Sequence, residues 1–293
     1  MTPEWLSGSM VALVTPFSGD KVDEKALKAL IERQIAGGTK ALVIAGTTGE
    51  AATMTEEEHI GVIGMSVDIA AGRIPVIAGV GANVTRDAIT LAKESLRVGA
   101  QALMATTGYY NKPSRAGLLA HYTKLAEATD LPLIVYNVPS RTASDLKEDL
   151  IAELSRLPTV VALKDASGDL ARMARHRITC PEDMVFLSGE DITAVGFNAM
   201  GGKGCISVSA NVAPAHCARM QDACLRGDYA EALKIQDQLT PLHDAMFSDA
   251  SPAPAKYALA KLGLLEEELR LPLVPANEKA RRLVDEALAT LDL

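Results

Sequence analysis

The sequence predicts an α/β fold, a (β/α)8 TIM barrel followed by a C-terminal helical appendage. Two patterns carry this prediction. Eight short apolar runs occur at residues 10–15, 41–45, 75–79, 102–106, 133–136, 160–164, 185–188 and 204–207, each followed by a segment of helical periodicity. Beyond about residue 227 the strand signals stop and only helical periodicity continues. The runs are rich in Val, Ile and Leu without strict alternation, as strands buried on both faces should be. Eight strand–helix units in about 225 residues fit a closed barrel. A doubly wound open sheet is the competing architecture, but it usually has fewer strands and a Gly-rich dinucleotide turn after the first.

The helices carry their own signals. Asp23 is placed to cap the first, with Val22 and Leu27 as a hydrophobic staple and Leu27, Leu30 and Ile31 on one face. Thr55-Glu56-Glu57-Glu58 has capping-box spacing. Asp145 and Glu148 repeat that spacing ahead of Leu150, Ile151 and Leu154, which predicts a cap at Asp145. Segments 229–239, 254–262 and 276–291 read as helices, separated by Ser251-Pro252-Ala253-Pro254 and Leu271-Pro272-Leu273-Val274-Pro275. The predicted organisation is a catalytic barrel over 1–226 and a helical unit over 227–293.

Bulk properties narrow the function. The chain has 293 residues, 48% hydrophobic and 23% charged, an ordinary globular composition. Its net charge of −8 argues against nucleic acid or an anionic membrane as the main partner. No apolar run is long enough to span a bilayer. Residues 1–8 lack the basic and apolar regions of a secretory signal. Cys180, Cys205, Cys217 and Cys224 form no Cys-x-x-Cys pair, which reads as reduced thiols and a cytoplasmic protein. His216 beside Cys217 invites a metal reading, but no further ligand has suitable spacing, so no metal is expected.

In a barrel, the C-terminal ends of the strands build the active site. The second run leads into Gly46-Thr47-Thr48-Gly49-Glu50 and the fourth into Thr107-Gly108-Tyr109-Tyr110-Asn111-Lys112-Pro113. The fifth ends at Tyr136, followed by Asn137-Val138-Pro139-Ser140-Arg141-Thr142. The sixth ends at Lys164-Asp165 and the seventh at Ser188-Gly189-Glu190-Asp191.

A lysine ending an apolar strand points into a partly dehydrated cavity, where the neutral amine is favoured. A neutral amine attacks a ketone to give an imine, and the protonated imine lets a neighbouring C–H proton leave as an enamine forms. The competing reading of Lys164 is a lysine snorkelling from the barrel top or pairing with Asp165. Tyr136 ends the adjacent strand and can exchange the protons that imine formation requires; a core tyrosine with a satisfied hydroxyl is its alternative. Loop 46–50 offers hydroxyls and approachable backbone N–H groups for a carboxylate, or is an ordinary glycine-bounded turn. Arg141 suits bidentate capture of a second carboxylate, or is a solvated surface arginine. Gly201-Gly202-Lys203-Gly204 precedes the eighth run, at the opposite face, and reads as a structural turn rather than a phosphate site. His59, His121, His176 and His243 form no cluster with metal spacing.

Taken in order, the segments 46–50, 109–113, 136–142 and Lys164-Asp165, with Pro75-Val76-Ile77-Ala78-Gly79, Leu187-Ser188-Gly189, Gly204-Cys205-Ile206-Ser207-Val208 and Asn211-Val212-Ala213, resemble the dihydrodipicolinate synthase family of pyruvate-dependent class I aldolases. The resemblance covers essentially the whole chain. It implies a Schiff base on Lys164 and condensation of pyruvate with L-aspartate 4-semialdehyde, the entry step to diaminopimelate and lysine synthesis. It implies a proton relay of Tyr136, Thr47 and Tyr110, with Tyr110 reaching a neighbouring subunit's site. Thr47 and Thr48 would hold the pyruvate carboxylate and Arg141 that of the semialdehyde, while Gly189 and Ile206 would line the pyruvate pocket. It further implies no cofactor beyond the covalent pyruvate–Lys164 imine, and a homotetramer built as a dimer of dimers.

Arg141 favours the synthase over sugar-acid lyases of N-acetylneuraminate type, which generally lack it. Such an aldolase and a barrel without catalysis, used as a binding module, are the alternatives. Two departures stand out. Gly108 takes the place of the family's usual proline, which frees the backbone before Tyr110. The interface pocket through which lysine inhibits some members has counterparts here in His59, Asn83 and Tyr109. Glu56 replaces the histidine of some members there, and Asp87 their glutamate.

Overall fold

The computed structural model describes residues 2–293. Eight parallel strands close into a barrel: β1 (Gly8–Ala12), β4 (Leu42–Ile44), β5 (Val76–Gly79), β6 (Ala102–Thr106), β7 (Leu133–Asn137), β8 (Val160–Asp165), β9 (Val185–Ser188) and β10 (Gly204–Ser207), with β1 pairing both β10 and β4. A short hairpin, β2 (Phe17–Ser18) with β3 (Lys21–Val22), follows the first strand. The barrel helices are α1 (Glu24–Ala36), α2 (Glu56–Ala70), α3 (Thr85–Arg97), α4 (Arg115–Ala126), α5 (Pro139–Thr142), α6 (Glu148–Leu154), α7 (Ala171–Thr179), α8 (Ala194–Ala199) and α9 (Pro214–Leu225). Three more follow: α10 (Tyr229–Met246), α11 (Ala253–Lys261) and α12 (Glu278–Leu288).

The predicted barrel with its C-terminal helices is the fold observed, with local differences. The first strand begins two residues earlier than its apolar run, because Gly8 pairs with Gly204 and its N–H donates to the Lys203 carbonyl. Asp23 caps α1 by accepting from the Ala26 N–H, and Thr55 and Glu58 close a reciprocal capping box on α2. The cap predicted at Asp145 does not form. Lys147 is the N-cap residue of α6, without a side-chain cap bond. The Asp145 carboxylate instead accepts from Arg172, Asn137 and Lys147. A buried guanidinium outbids a backbone N–H for a carboxylate, because the charge-assisted bond is the stronger. Helix α10 also runs past its expected end, through Pro241. An interior proline costs about 3 kcal/mol, which burial of Leu239, Leu242, Ala245 and Met246 on the same helix offsets.

Two hydrophobic clusters divide the molecule. The inner one fills the barrel with residues such as Met10, Val43, Ile77, Met104, Ile134, Leu187 and Ile206. The outer one lies between strands and helices and continues without a break into α10, α11 and α12 through Leu239, Leu259 and Val284. The predicted unit boundary falls at Arg226-Gly227, in the turn joining α9 to α10. Strand alternation decides which residues face inward. On β8, Ala162 and Lys164 point into the barrel, while Leu163 and Asp165 point toward the helices.

Candidate active site

Lys164 lies in register with Tyr136 on the neighbouring strand, and Tyr136 with Thr106 on the next. This parallel pairing sets the Lys164 Nζ 4.0 Å from the centroid of the Tyr136 ring. Both side chains are buried, at 5% and 6% exposure. Among the described residues no carboxylate pairs with the lysine. Asp165, its sequence neighbour, faces away from the barrel, accepting from the Ser167 N–H at 2.8 Å with Arg172 and His176 each 4.0 Å from its Oδ2. The Lys164–Asp165 pair weighed from the sequence is therefore not made.

Gly189 makes room for the lysine. A Cβ there would lie 2.7 Å from the Ala166 Cβ and 3.1 Å from the Lys164 Cε. The Gly189 N–H donates to the Asp165 carbonyl at 2.7 Å, tying β9 to β8 beside the site. Loop 46–50 closes another side. Thr15 Oγ1 donates to the Gly49 carbonyl at 2.8 Å, and a Cβ at Gly49 would stand 3.2 Å from the Leu13 carbonyl oxygen. Thr47 is exposed to the cavity and Thr48 is buried beside it. Arg141 stands on the single turn of α5, exposed, with no carboxylate partner among the described residues.

The cavity around Lys164 is lined by Thr47, Thr48, Tyr136, Arg141, Gly189 and Ile206. It shares Gly46, Thr47, Met104, Tyr136 and Arg141 with a larger cavity of about 610 Å³ that runs on toward α2 and α3. Glu56, His59, Asn83, Asp87 and Tyr109 line that larger space. His59 is buried, its Nε2 2.7 Å from the Gly79 carbonyl, and burial holds its pKa below the usual histidine range.

Tyr110 is not brought to Lys164. It is 91% exposed, with a φ of 72°. The loop before it is restrained by Asn83, whose Oδ1 accepts from the Tyr109 N–H at 2.6 Å. Glycine at 108 fits against that bond, since a Cβ there would lie 3.1 Å from the same oxygen. A hydrogen bond thus restrains the loop where proline would fix φ.

Two lining residues escape the sequence reading. Phe247 and Ser251 reach the Lys164 cavity from the C-terminal helices. The segment Ser251-Pro252-Ala253-Pro254 reads as punctuation between helices, and nothing local shows that it returns to the barrel mouth. Among the described residues no group of three or more His, Cys, Asp or Glu side chains is placed to hold an ion.

A closed parallel barrel with a buried lysine at a strand end, facing a cavity, has the architecture of a class I aldolase. The chain belongs to the dihydrodipicolinate synthetase family, whose sequence profile matches residues 5–291. It is 54% identical over 274 residues to a 4-hydroxy-tetrahydrodipicolinate synthase of Phenylobacterium zucineum, covering 94% of this chain and 93% of that one. Among solved structures, the chloride-inhibited dihydrodipicolinate synthase of Acinetobacter baumannii complexed with pyruvate superposes with a TM-score of 0.95 at 42% identity, covering 97% of this chain and 98% of that one. The enzyme of Cyanidioschyzon merolae with lysine bound gives a TM-score of 0.95 at 34% identity, covering 98% and 99%.

Proposed function

We propose that this chain condenses pyruvate with L-aspartate 4-semialdehyde, the reaction of 4-hydroxy-tetrahydrodipicolinate synthases, on an imine carried by Lys164. The observation that carries the reading is the lysine itself, buried over the Tyr136 ring in a cavity and, among the described residues, without a counter-charge. A buried lysine whose only role is structural needs a compensating partner; Lys164 instead faces a cavity, as an amine that attacks a carbonyl must.

The chemistry then follows from the lining. The Lys164 amine adds to the ketone carbon of pyruvate, and the carbinolamine loses water to give the imine. The Tyr136 phenol is assigned the proton exchanges of this step, a role supported by the packing of its ring against the lysine. Loss of a methyl proton gives the enamine, whose carbon adds to the aldehyde of the second substrate. The amine of that substrate then displaces Lys164 as the ring closes, and the lysine is regenerated. Thr47 and Thr48 hold the pyruvate carboxylate from loop 46–50, with Gly189 and Ile206 closing the pocket. Arg141, at the rim, takes the carboxylate of the semialdehyde as a bidentate partner. Tyr110 serves a neighbouring subunit in a homotetramer, in keeping with its exposure on this one.

Borohydride reduction in the presence of pyruvate tests the reading. A stable pyruvyl adduct that maps to Lys164 is the expected result, and no adduct removes the aldolase account. Arg141→Ala separates the synthase from a sugar-acid aldolase: the semialdehyde KM should rise by roughly tenfold or more while pyruvate trapping persists.

Glu56 and Asp87 beside His59, Asn83 and Tyr109 form the wall of the larger cavity and suit an ammonium group, so free lysine is its proposed effector. Activity unchanged at millimolar lysine overturns that assignment. Among the described residues no helix is long and apolar enough to cross a membrane. The four cysteines are free, which supports a cytoplasmic setting.

A further inference from the structure

One buried charge cluster lies behind the site. Glu50 ends the 46–50 loop in the left-handed region, at a φ of 59°. A non-glycine residue held there costs about 1–2 kcal/mol, so something must hold it. Its carboxylate is 2.5 Å from the Nζ of Lys256, and both side chains are wholly buried. Lys256 lies on α11, in the C-terminal helices. Its ammonium also donates to the Glu268 carbonyl at 2.7 Å and sits 4.3 Å over the Phe17 ring. The other Glu50 oxygen accepts from the Arg270 N–H at 3.1 Å. Among the described residues the oxygen facing Lys256 has no further hydrogen bond, so the lysine charge is what compensates it.

We propose that Lys256 is a positioning residue for the pyruvate-carboxylate loop: through Glu50 it holds Thr47 and Thr48 at the distance from Lys164 that imine formation needs. The C-terminal helices thereby complete the substrate pocket from behind, as well as through Phe247 and Ser251. The inference rests on the aldolase reading above. A fully buried pair that grips the loop two residues beyond Thr48 and three beyond Thr47 transmits a shift directly to those carboxylate donors. A misplacement of about 1 Å at a substrate-positioning group is enough to cost rate or affinity.

The test is borohydride trapping as a function of pyruvate concentration, read by intact mass on the full chain. Lys256→Met alone strands a buried carboxylate and can unfold the protein, so Glu50→Gln/Lys256→Met, which removes both charges, is the decisive variant. Glu50→Gln, which keeps the side chain's shape, is measured beside it. Lys261→Met, on the same helix but in a half-exposed pair with Asp285, is the control. In the folded double variant, half-maximal trapping should need roughly tenfold more pyruvate or beyond, with the semialdehyde KM within about twofold of wild type. The control should trap as wild type does. If a folded variant melts earlier yet saturates at the wild-type pyruvate concentration, the pair is only a structural tie and the proposal is overturned. If wild type and control both fail to trap, the aldolase reading falls first and this inference with it.

Discussion

Lys164 and Lys256 are two buried lysines in one chain, each stacked over an aromatic ring, and their surroundings could hardly differ more. Lys164 is 4.0 Å from the Tyr136 ring centroid, opens onto a cavity and meets no carboxylate among the described residues. Lys256 is 4.3 Å from the Phe17 ring centroid, wholly buried, and pressed against Glu50. Burial pushes the Lys256 ammonium down, and the Glu50 carboxylate opposes that shift. Burial alone therefore does not make a lysine reactive. On the function proposed above, the difference lies in the access to a small ketone and in a counter-charge that Lys256 has and Lys164 lacks among the described residues.

Exchanging the two roles by mutation sharpens the contrast. Lys164→Ala should abolish pyruvate trapping and turnover while leaving the urea midpoint near wild type, because no ion pair is broken. Lys256→Met should act first on stability, costing about 3–5 kcal/mol by leaving Glu50 unpaired, as measured by urea unfolding, and whatever remains folded should trap pyruvate only at higher concentration than wild type. Gly189→Ala tests the space around the nucleophile. The added methyl meets Ala166 and Lys164 Cε, and overpacking of about 1–3 kcal/mol should slow trapping with little change in fold by circular dichroism.

The smallest effect concerns the rim of the clamp. Arg270 donates to both oxygens of Glu58, at 2.9 Å and 2.6 Å, and holds its carboxyl at about 2 instead of 4.5. A depressed carboxylate pKa contributes stability above the unfolded value and loses it as pH falls. The contribution should be whole above pH 4.5 and disappear as pH drops through about 2. The midpoint of urea unfolding between pH 6 and pH 3 should therefore slope less in Arg270→Met than in wild type.

Much of the fold is legible in the sequence, and three of the eight strands, β6, β9 and β10, start and stop where their apolar runs do. Local patterns suffice there because each strand is buried on both faces and each helix on one. The misreadings share a cause. Asp145 looks like a cap until Arg172 comes within 2.9 Å, and the helix expected over 229–239 runs on through Pro241 because its later turns pack on the core. In both places a partner far along the chain outweighs the local preference.

The sequence by itself determined the eight units and the Lys164-Asp165 end of the sixth strand, but left a pair between those two side chains open. Only the tertiary structure decided that Asp165 is taken by the helix side, leaving Lys164 without a charge partner among the described residues. It also decided that α11 returns to the loop after the second barrel strand, joining Lys256 to Glu50. Periodicity records which face of an element is apolar. It does not record which charge meets which, because a salt bridge between distant segments leaves no spacing in the chain.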